Sequence, residues 1–315
     1  MKQPRNEGDV IAQRYRVLRT LGQGAFAVAY EAVELETGRH VALKETPLGK
    51  APGRRTRDGL AHEARVLRSL RHPGIPQYVD AFEYETATGV SFFLVHELAQ
   101  GVSLWEAAAR GPRLREAALT ALARELLPIL DYLHNRERTL VHRDIKPSNV
   151  IRSATGRVTL IDFGAAQEDG QDAPSSLSDG TRGYMAPEQI RGRAIPASDL
   201  YGLGATLIYL LTGVEPAELP TRGLRLEFRE HARVSHEFAT WLDSLVQPQV
   251  SRRAPTAAAA LERLNEIAAR ASRRRHRTVR ALALAALTVG GMAMVWGAPA
   301  FGGSPAQAAE TSTSE

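Results

Sequence analysis

The run Val141-His142-Arg143-Asp144-Ile145-Lys146-Pro147-Ser148-Asn149, followed by Leu160-Ile161-Asp162-Phe163-Gly164, gathers two acids, an amide and a lysine into a short span. Each suits the transfer of a phosphoryl group. Asp144 can accept a proton from an attacking hydroxyl. Asn149 and Asp162 offer the hard oxygen atoms that Mg²⁺ takes, and Mn²⁺ accepts the same kind of donor. Lys146 can neutralise charge building on the moving phosphate. Such a reaction asks for positioning and charge stabilisation more than for covalent chemistry.

The preceding chain must position these groups. Residues 15–45 read as strand, Gly-rich turn, strand, and a third strand ending at Lys44. Residues 46–59 are rich in Pro, Gly and Arg and read as a loop. Leu60, Ala64, Leu67 and Leu70 give residues 60–71 helical apolar spacing, stopped by His72-Pro73-Gly74. Strands are expected near 78–84 and 91–98, and helices over 114–134 (despite Pro128), 199–212 and 256–270. Strands first and helices later predict an α+β chain: a small β-rich lobe joined to a larger α-helical lobe, with a ligand cleft between them. No internal repeat is visible.

With these motifs in order, the chain resembles a Ser/Thr protein kinase, and most of all the bacterial eukaryotic-like kinases. The resemblance is collinear over roughly residues 15 to 265. It is carried by Leu21-Gly22-Gln23-Gly24-Ala25-Phe26, Val41-Ala42-Leu43-Lys44, Glu63, the 142–149 run, Asp162-Phe163-Gly164 and Ala186-Pro187-Glu188. It implies a two-lobed kinase domain over 15–268 after an N-terminal extension (1–14). The N-lobe would span about 15–96, the hinge 97–101 and the C-lobe about 102–268. It further implies ATP and Mg²⁺ as cofactors and protein hydroxyls as substrates.

The resemblance also assigns roles. Leu21, Gly22, Gln23, Gly24, Ala29, Ala42, Lys44 and the backbone of Glu97 and Ala99 would bind the nucleotide. Lys44 would pair with phosphates and be held by Glu63. Asp144 would be the base, assisted by Lys146 and Asn149, with Asn149 and Asp162 as metal ligands. Thr181 would shape the acceptor site, and Ser175, Ser176, Ser178 and Thr181 are the expected autophosphorylation sites. Glu188 would pair with Arg253 (Arg252 being the alternate), and Asp199 would anchor the catalytic loop. His142 and Phe163 are expected to pack, and His96 to line the back of the adenine pocket as a hydrogen-bonded residue.

Two positions depart from the family pattern. Ala27 replaces the third glycine of the loop. Ala29 replaces a valine that packs on adenine, forfeiting on the order of 1 kcal/mol of apolar contact. A catalytically weak kinase-fold scaffold is one rival reading, although Lys44, Asp144, Asn149 and Asp162 are all present. A small-molecule phosphotransferase of related fold is another, although it has no need of Gly180-Thr181 or Ala186-Pro187-Glu188.

The 315 residues carry no cysteine, which excludes disulfides and thiolate metal sites. The formal charge of +5 is local: six arginines lie between Arg270 and Arg280, and Glu310 and Glu315 lie in the tail, so the remainder carries 5 − 6 + 2 = +1. Nucleic-acid binding needs a distributed basic face and is not expected. After the basic segment (269–280), residues 281–301 hold no charge and would span about 31 Å as a helix, close to a bilayer's hydrocarbon core. By the positive-inside rule the expectation is a single-pass membrane protein with its kinase domain cytoplasmic and a short external tail (302–315). Ala286, Gly290, Ala293 and Gly297 fall on one helical face, which would suit a homodimer.

Overall fold

The protein is described by a computed structural model that covers residues 4–24, 26–49, 54–86, 89–168 and 183–273. Ser175, Ser176, Ser178, Thr181 and the segments expected at 281–301 and 302–315 lie outside the described residues. Among the described residues no helix is long and apolar enough to cross a membrane. The chain forms two units, Met1–Ile267 and Ala268–Glu315; of the second, residues 268–273 are described and are helical.

The first unit begins with six strands: β1 (Val10–Ile11), β2 (Tyr15–Gln23), β3 (Val28–Glu34), β4 (His40–Gly49), β5 (Tyr78–Thr86) and β6 (Gly89–Glu97). They form one antiparallel sheet in the order β1-β2-β3-β4-β6-β5. Side chains alternate between faces with a period of two. One face buries Tyr15, Val17, Tyr30, Ala32, Val41, Leu43, Phe93 and Val95 as a compact cluster. Tyr15, Phe82 and Phe93 stack through it at centroid distances of 5.9 and 5.3 Å. Residues ahead of Tyr15 join this layer. Ile11 is fully buried, and Arg5 donates to the buried Glu45 carboxylate at 2.7 and 2.9 Å. The other face carries Ala42 and Lys44 of β4, opposite His96 and Leu94 of β6.

Helix α1 (Arg54–Ser69) covers that second face and buries Glu63, Ala64, Val66 and Leu67. The expected 46–59 loop is thus mostly ordered: β4 runs on to Gly49 and α1 starts at Arg54. Beyond Glu45, β4 keeps only its β6 partner, so Pro47 costs no ladder bond on the side facing β3. The first turn of α1 lacks apolar periodicity, so its start leaves no trace in the hydrophobic pattern.

The rest of the unit is mainly helical. It comprises β7 (Val102–Ser103), α2 (Leu104–Arg110), α3 (Glu116–His134), β8 (Leu140–Val141), β9 (Val150–Arg152), β10 (Val158–Leu160), β11 (Gln167–Glu168), α4 (Pro187–Ile190), α5 (Pro196–Thr212) and α6 (His236–Leu245), and residues 257–267 are also helical. Helix α5 is buried on nearly every side, from Ala197 to Thr212. A helix apolar all round must sit in the centre, and α5 is the axle on which the loop carrying Asp144 rests. A Cβ at Gly202 would lie 3.0 Å from both the Cβ and the carbonyl oxygen of Ile145, the residue after Asp144. Glycine there lets helix and loop touch.

One ion pair ties α4 to the chain beyond α6. Arg253, whose side chain is 0% exposed, meets Glu188 (14%) at 2.6 Å. It also donates to the carbonyls of Ala197 and Gln247 at 2.7 and 2.8 Å and lies over the Tyr201 ring. Ser198 Oγ donates to Glu188 at 2.8 Å. Burial opposes the Glu188 charge, but Arg253 outweighs it and holds the carboxyl below its usual range. Removing one member strands a buried charge. Arg253→Met is expected to lower the unfolding free energy by about 3–5 kcal/mol near neutral pH in urea titrations. A carboxyl with a depressed folded pKa stabilises above its unfolded pKa, and that contribution fades as pH falls through the folded one. The gap between wild type and variant should therefore narrow on acidification, and a gap that stays constant would contradict this assignment.

Candidate active site

The site is built around Lys44. Its ammonium donates to Glu63 Oε1 at 2.7 Å and to Asp162 Oδ1 at 2.8 Å, joining β4, α1 and the turn after β10. Burial works against the ammonium charge, but the two carboxylates more than compensate and raise the Lys44 pKa. Burial likewise opposes the charge on Asp162, and Lys44 overrides it, holding this carboxyl well below the usual range. Glu63, still more enclosed and close to the Asp162 charge, is pushed upward.

Asp162 sits at φ +66°, a left-handed conformation unusual for a residue with a side chain. The turn brings the Gly164 amide back to Asp162 Oδ1 at 3.3 Å. A Cβ on Gly164 would meet Glu63 Oε2 at 3.2 Å, so a bare backbone suits this position. Phe163 is buried and packs edge-on against His142, with ring centroids 4.8 Å apart.

Asp144, Lys146 and Asn149 converge across the loop after β8. Lys146 Nζ lies 2.7 Å from Asp144 Oδ2. Asn149 Nδ2 donates to the same Oδ2 at 2.8 Å and to the Asp144 carbonyl at 2.9 Å. With both amide hydrogens engaged, Asn149 keeps Oδ1 as an acceptor. Asp144 Oδ1 is buried and has no hydrogen-bond partner. One carboxylate oxygen is therefore clamped from two sides, which fixes the orientation of the group.

Asp199, at the start of α5, holds this loop from below. Its two oxygens accept the backbone N–H groups of His142 (2.9 Å) and Arg143 (2.8 Å), while His134 Nε2 lies 2.9 Å from Oδ2. Arg143 adopts φ +70°. Its guanidinium hydrogen-bonds Gln167, and its carbonyl accepts from the buried Gln189 side chain. His134, Gln167 and Gln189 were not foreseen from sequence. They lie on separate elements, and no local motif marks them.

The Gly-rich loop closes through Gly24 N–H donating to the Ala27 carbonyl at 2.8 Å. Leu21, Gly22 and Gln23 end β2; Gly22 pairs with Ala29, and Ala29 in turn with Lys44. Ala42 lies opposite His96, whose Nδ1 is 2.8 Å from the Glu97 carbonyl oxygen. The Glu97 side chain pairs with Arg39 at 2.6 Å, outside the cluster around Lys44. Ala99 is the second residue beyond β6, with no strand or helix of its own.

The protein kinase domain family matches residues 15–264. Serine/threonine-protein kinase C of Synechocystis sp. is 36% identical over 257 residues, 76% of this chain and 47% of the relative. Serine/threonine-protein kinase PknA of Nostoc sp. is 35% identical over 273 residues, 81% of this chain and 47% of the relative. Serine/threonine-protein kinase B of Synechocystis sp. is 32% identical over 270 residues, with 80% and 46% covered. The chain thus spans about half the length of these curated relatives. With the motifs in order, the paired Lys44 and Glu63, and a family match over most of its length, this chain belongs to the protein kinase family.

Proposed function

We propose that the chain is a Ser/Thr protein kinase that moves the γ-phosphoryl group of ATP onto a hydroxyl of a protein substrate. The observation that carries this reading is the convergence of three groups on one loop: Asn149 Nδ2 and Lys146 Nζ both meet Asp144 Oδ2, at 2.8 and 2.7 Å. A substrate hydroxyl presented to this carboxylate could pass its proton to it. Lys146, 2.7 Å from Oδ2, offers positive charge beside the same carboxylate. Lys44 is fixed by two carboxylates and can direct its ammonium at phosphate oxygens.

The donor set suits a divalent ion. Among the described residues no group of three or more His, Cys, Asp or Glu could hold a metal by itself. Asn149 Oδ1 and Asp162 are two oxygen donors, a number that fits Mg²⁺, which is commonly bound by one or two protein oxygens together with water and substrate phosphates. Once bound, the ion would supply charge neutralisation for the phosphates. The Lys146-Pro147-Ser148-Asn149 sequence and the named relatives favour Ser or Thr over Tyr as acceptor. Self-modification at Ser175, Ser176, Ser178 or Thr181 is part of the proposal.

We further propose a membrane location. The support is the uncharged run 281–301 directly after the arginines between 270 and 280. Association of two chains through Ala286, Gly290, Ala293 and Gly297 would follow from the same segment.

Two experiments test these readings. Asp144→Asn should lower turnover by roughly 10²–10⁴ while ATP binding persists, and near-normal turnover would remove Asp144 from its role. Deleting residues 270–315 should shift the protein from the membrane pellet to the supernatant with its specific activity kept. Full-length protein found in the supernatant without detergent would end the anchor reading.

A further inference from the structure

A cavity of about 740 Å³ opens between α1 and the chain joining α3 to β8, apart from the cluster around Lys44. Its volume is that of a small-molecule site. Val66 of α1 and Leu140 of β8, both buried, give it an apolar floor. Arg65, Arg136 and Arg138 also line it. Two of these guanidiniums have no acid to neutralise them among the described residues. Arg65 is exposed and donates from Nε to the Ala61 carbonyl at 3.3 Å, which leaves its terminal nitrogens without a carboxylate. Arg136 is half-buried and donates to the Tyr132 hydroxyl at 3.0 Å and to Ser69 Oγ at 3.2 Å. Those neutral partners hold the Arg136 fork between α1 and α3 without cancelling its charge. Arg138 meets Glu168 at 3.3 Å, an exposed pair that solvent weakens.

Surplus positive charge above an apolar floor suits an anion with a carbon frame. Guanidinium forks match phosphate oxygens in pairs. The two carboxylates that line the cavity, Glu137 and Glu168, only accept hydrogen bonds when ionised. They would repel a second acid and favour hydroxyl donors. We propose that this cavity binds a sugar-phosphate group: Arg65 and Arg136 take the phosphate, Glu137 and Glu168 the hydroxyls, and Val66 and Leu140 the face of the ring. An acidic peptide would set its further carboxylates against the two glutamates. A bare phosphate would leave the floor and the two acceptors unused. The ligand would join α1 to the chain after α3, because its phosphate would be shared by an arginine from each.

The test is calorimetric titration of the full chain with ribose 5-phosphate and, with a non-hydrolysable ATP analogue already saturating the protein, with AMP. At least one probe should bind saturably, and its affinity should fall about tenfold in Arg65→Gln and in Arg136→Gln. The tighter of the two tells a free sugar phosphate from a nucleotide as the source. Inorganic phosphate should bind wild type about tenfold more weakly than that probe. Three results would each overturn the proposal: no saturation by either probe up to about 10 mM, unchanged affinity in folded Arg65→Gln, or inorganic phosphate binding as tightly as the sugar phosphates. Arg65 is exposed and bonds only a carbonyl of its own helix, so Arg65→Gln decides the matter if losing the Ser69 and Tyr132 bonds unfolds Arg136→Gln.

Discussion

A buried ammonium cannot stand alone, and the site depends on how Lys44 is neutralised. Its bonds to Glu63 and Asp162 draw together a strand, a helix and a turn that are distant in sequence. An enclosed charge left unpaired costs several kcal/mol, so the three elements are coupled through one atom. The count of charges is also informative. One ammonium faces two carboxylates, so the cluster is one positive charge short. Binding a cation would correct that imbalance, and phosphate groups could then be accepted beside Lys44. If α1 moved away, Glu63 would leave and Lys44 would turn wholly toward Asp162, which ties the orientation of a helix to the electrostatics of the cleft.

Asp199 does for the loop what Lys44 does for the cleft. Two amide hydrogens in a turn with no helical or strand partners would be costly to bury. The carboxylate at the start of α5 accepts both, and His134 steadies that carboxylate from α3. The left-handed conformations at Arg143 and Asp162 are tolerated because such bonds surround them. Since α5 is enclosed in apolar packing, the position of Asp144 is set by a helix buried on nearly every side.

Much of this was legible in the chain. Strands before helices, the α3 and α5 spans, and the short motifs around Asp144 and Asp162 all announce themselves through local patterns, and the structure brings these motif residues together. What was not legible lay in contacts between remote residues or in short elements. Helix α6 escaped notice, although Ser235 caps it and Phe238, Trp241, Leu242 and Leu245 recur at helical spacing. Helix α2 has seven residues, too few for periodicity to stand out. The start of α1 is polar, and Pro47 disguised the end of β4 as a loop. The charges on Glu188 and Arg253 could be matched by type, but only three-dimensional placement separates Arg253, fully enclosed, from Arg252 beside it.

The hook formed by Arg5 has a practical side. The family match starts at Tyr15, which makes that residue a tempting place to trim the protein. Yet Arg5 neutralises Glu45, its backbone N–H reaches the Tyr30 hydroxyl at 3.1 Å, and its guanidinium caps Phe93. A shortened version beginning at Tyr15 would take the neutralising arginine from an acid in the small lobe's interior, on the same strand as the lysine that organises the cleft. Boundaries drawn by similarity alone would thus cut away part of the support for the nucleotide platform.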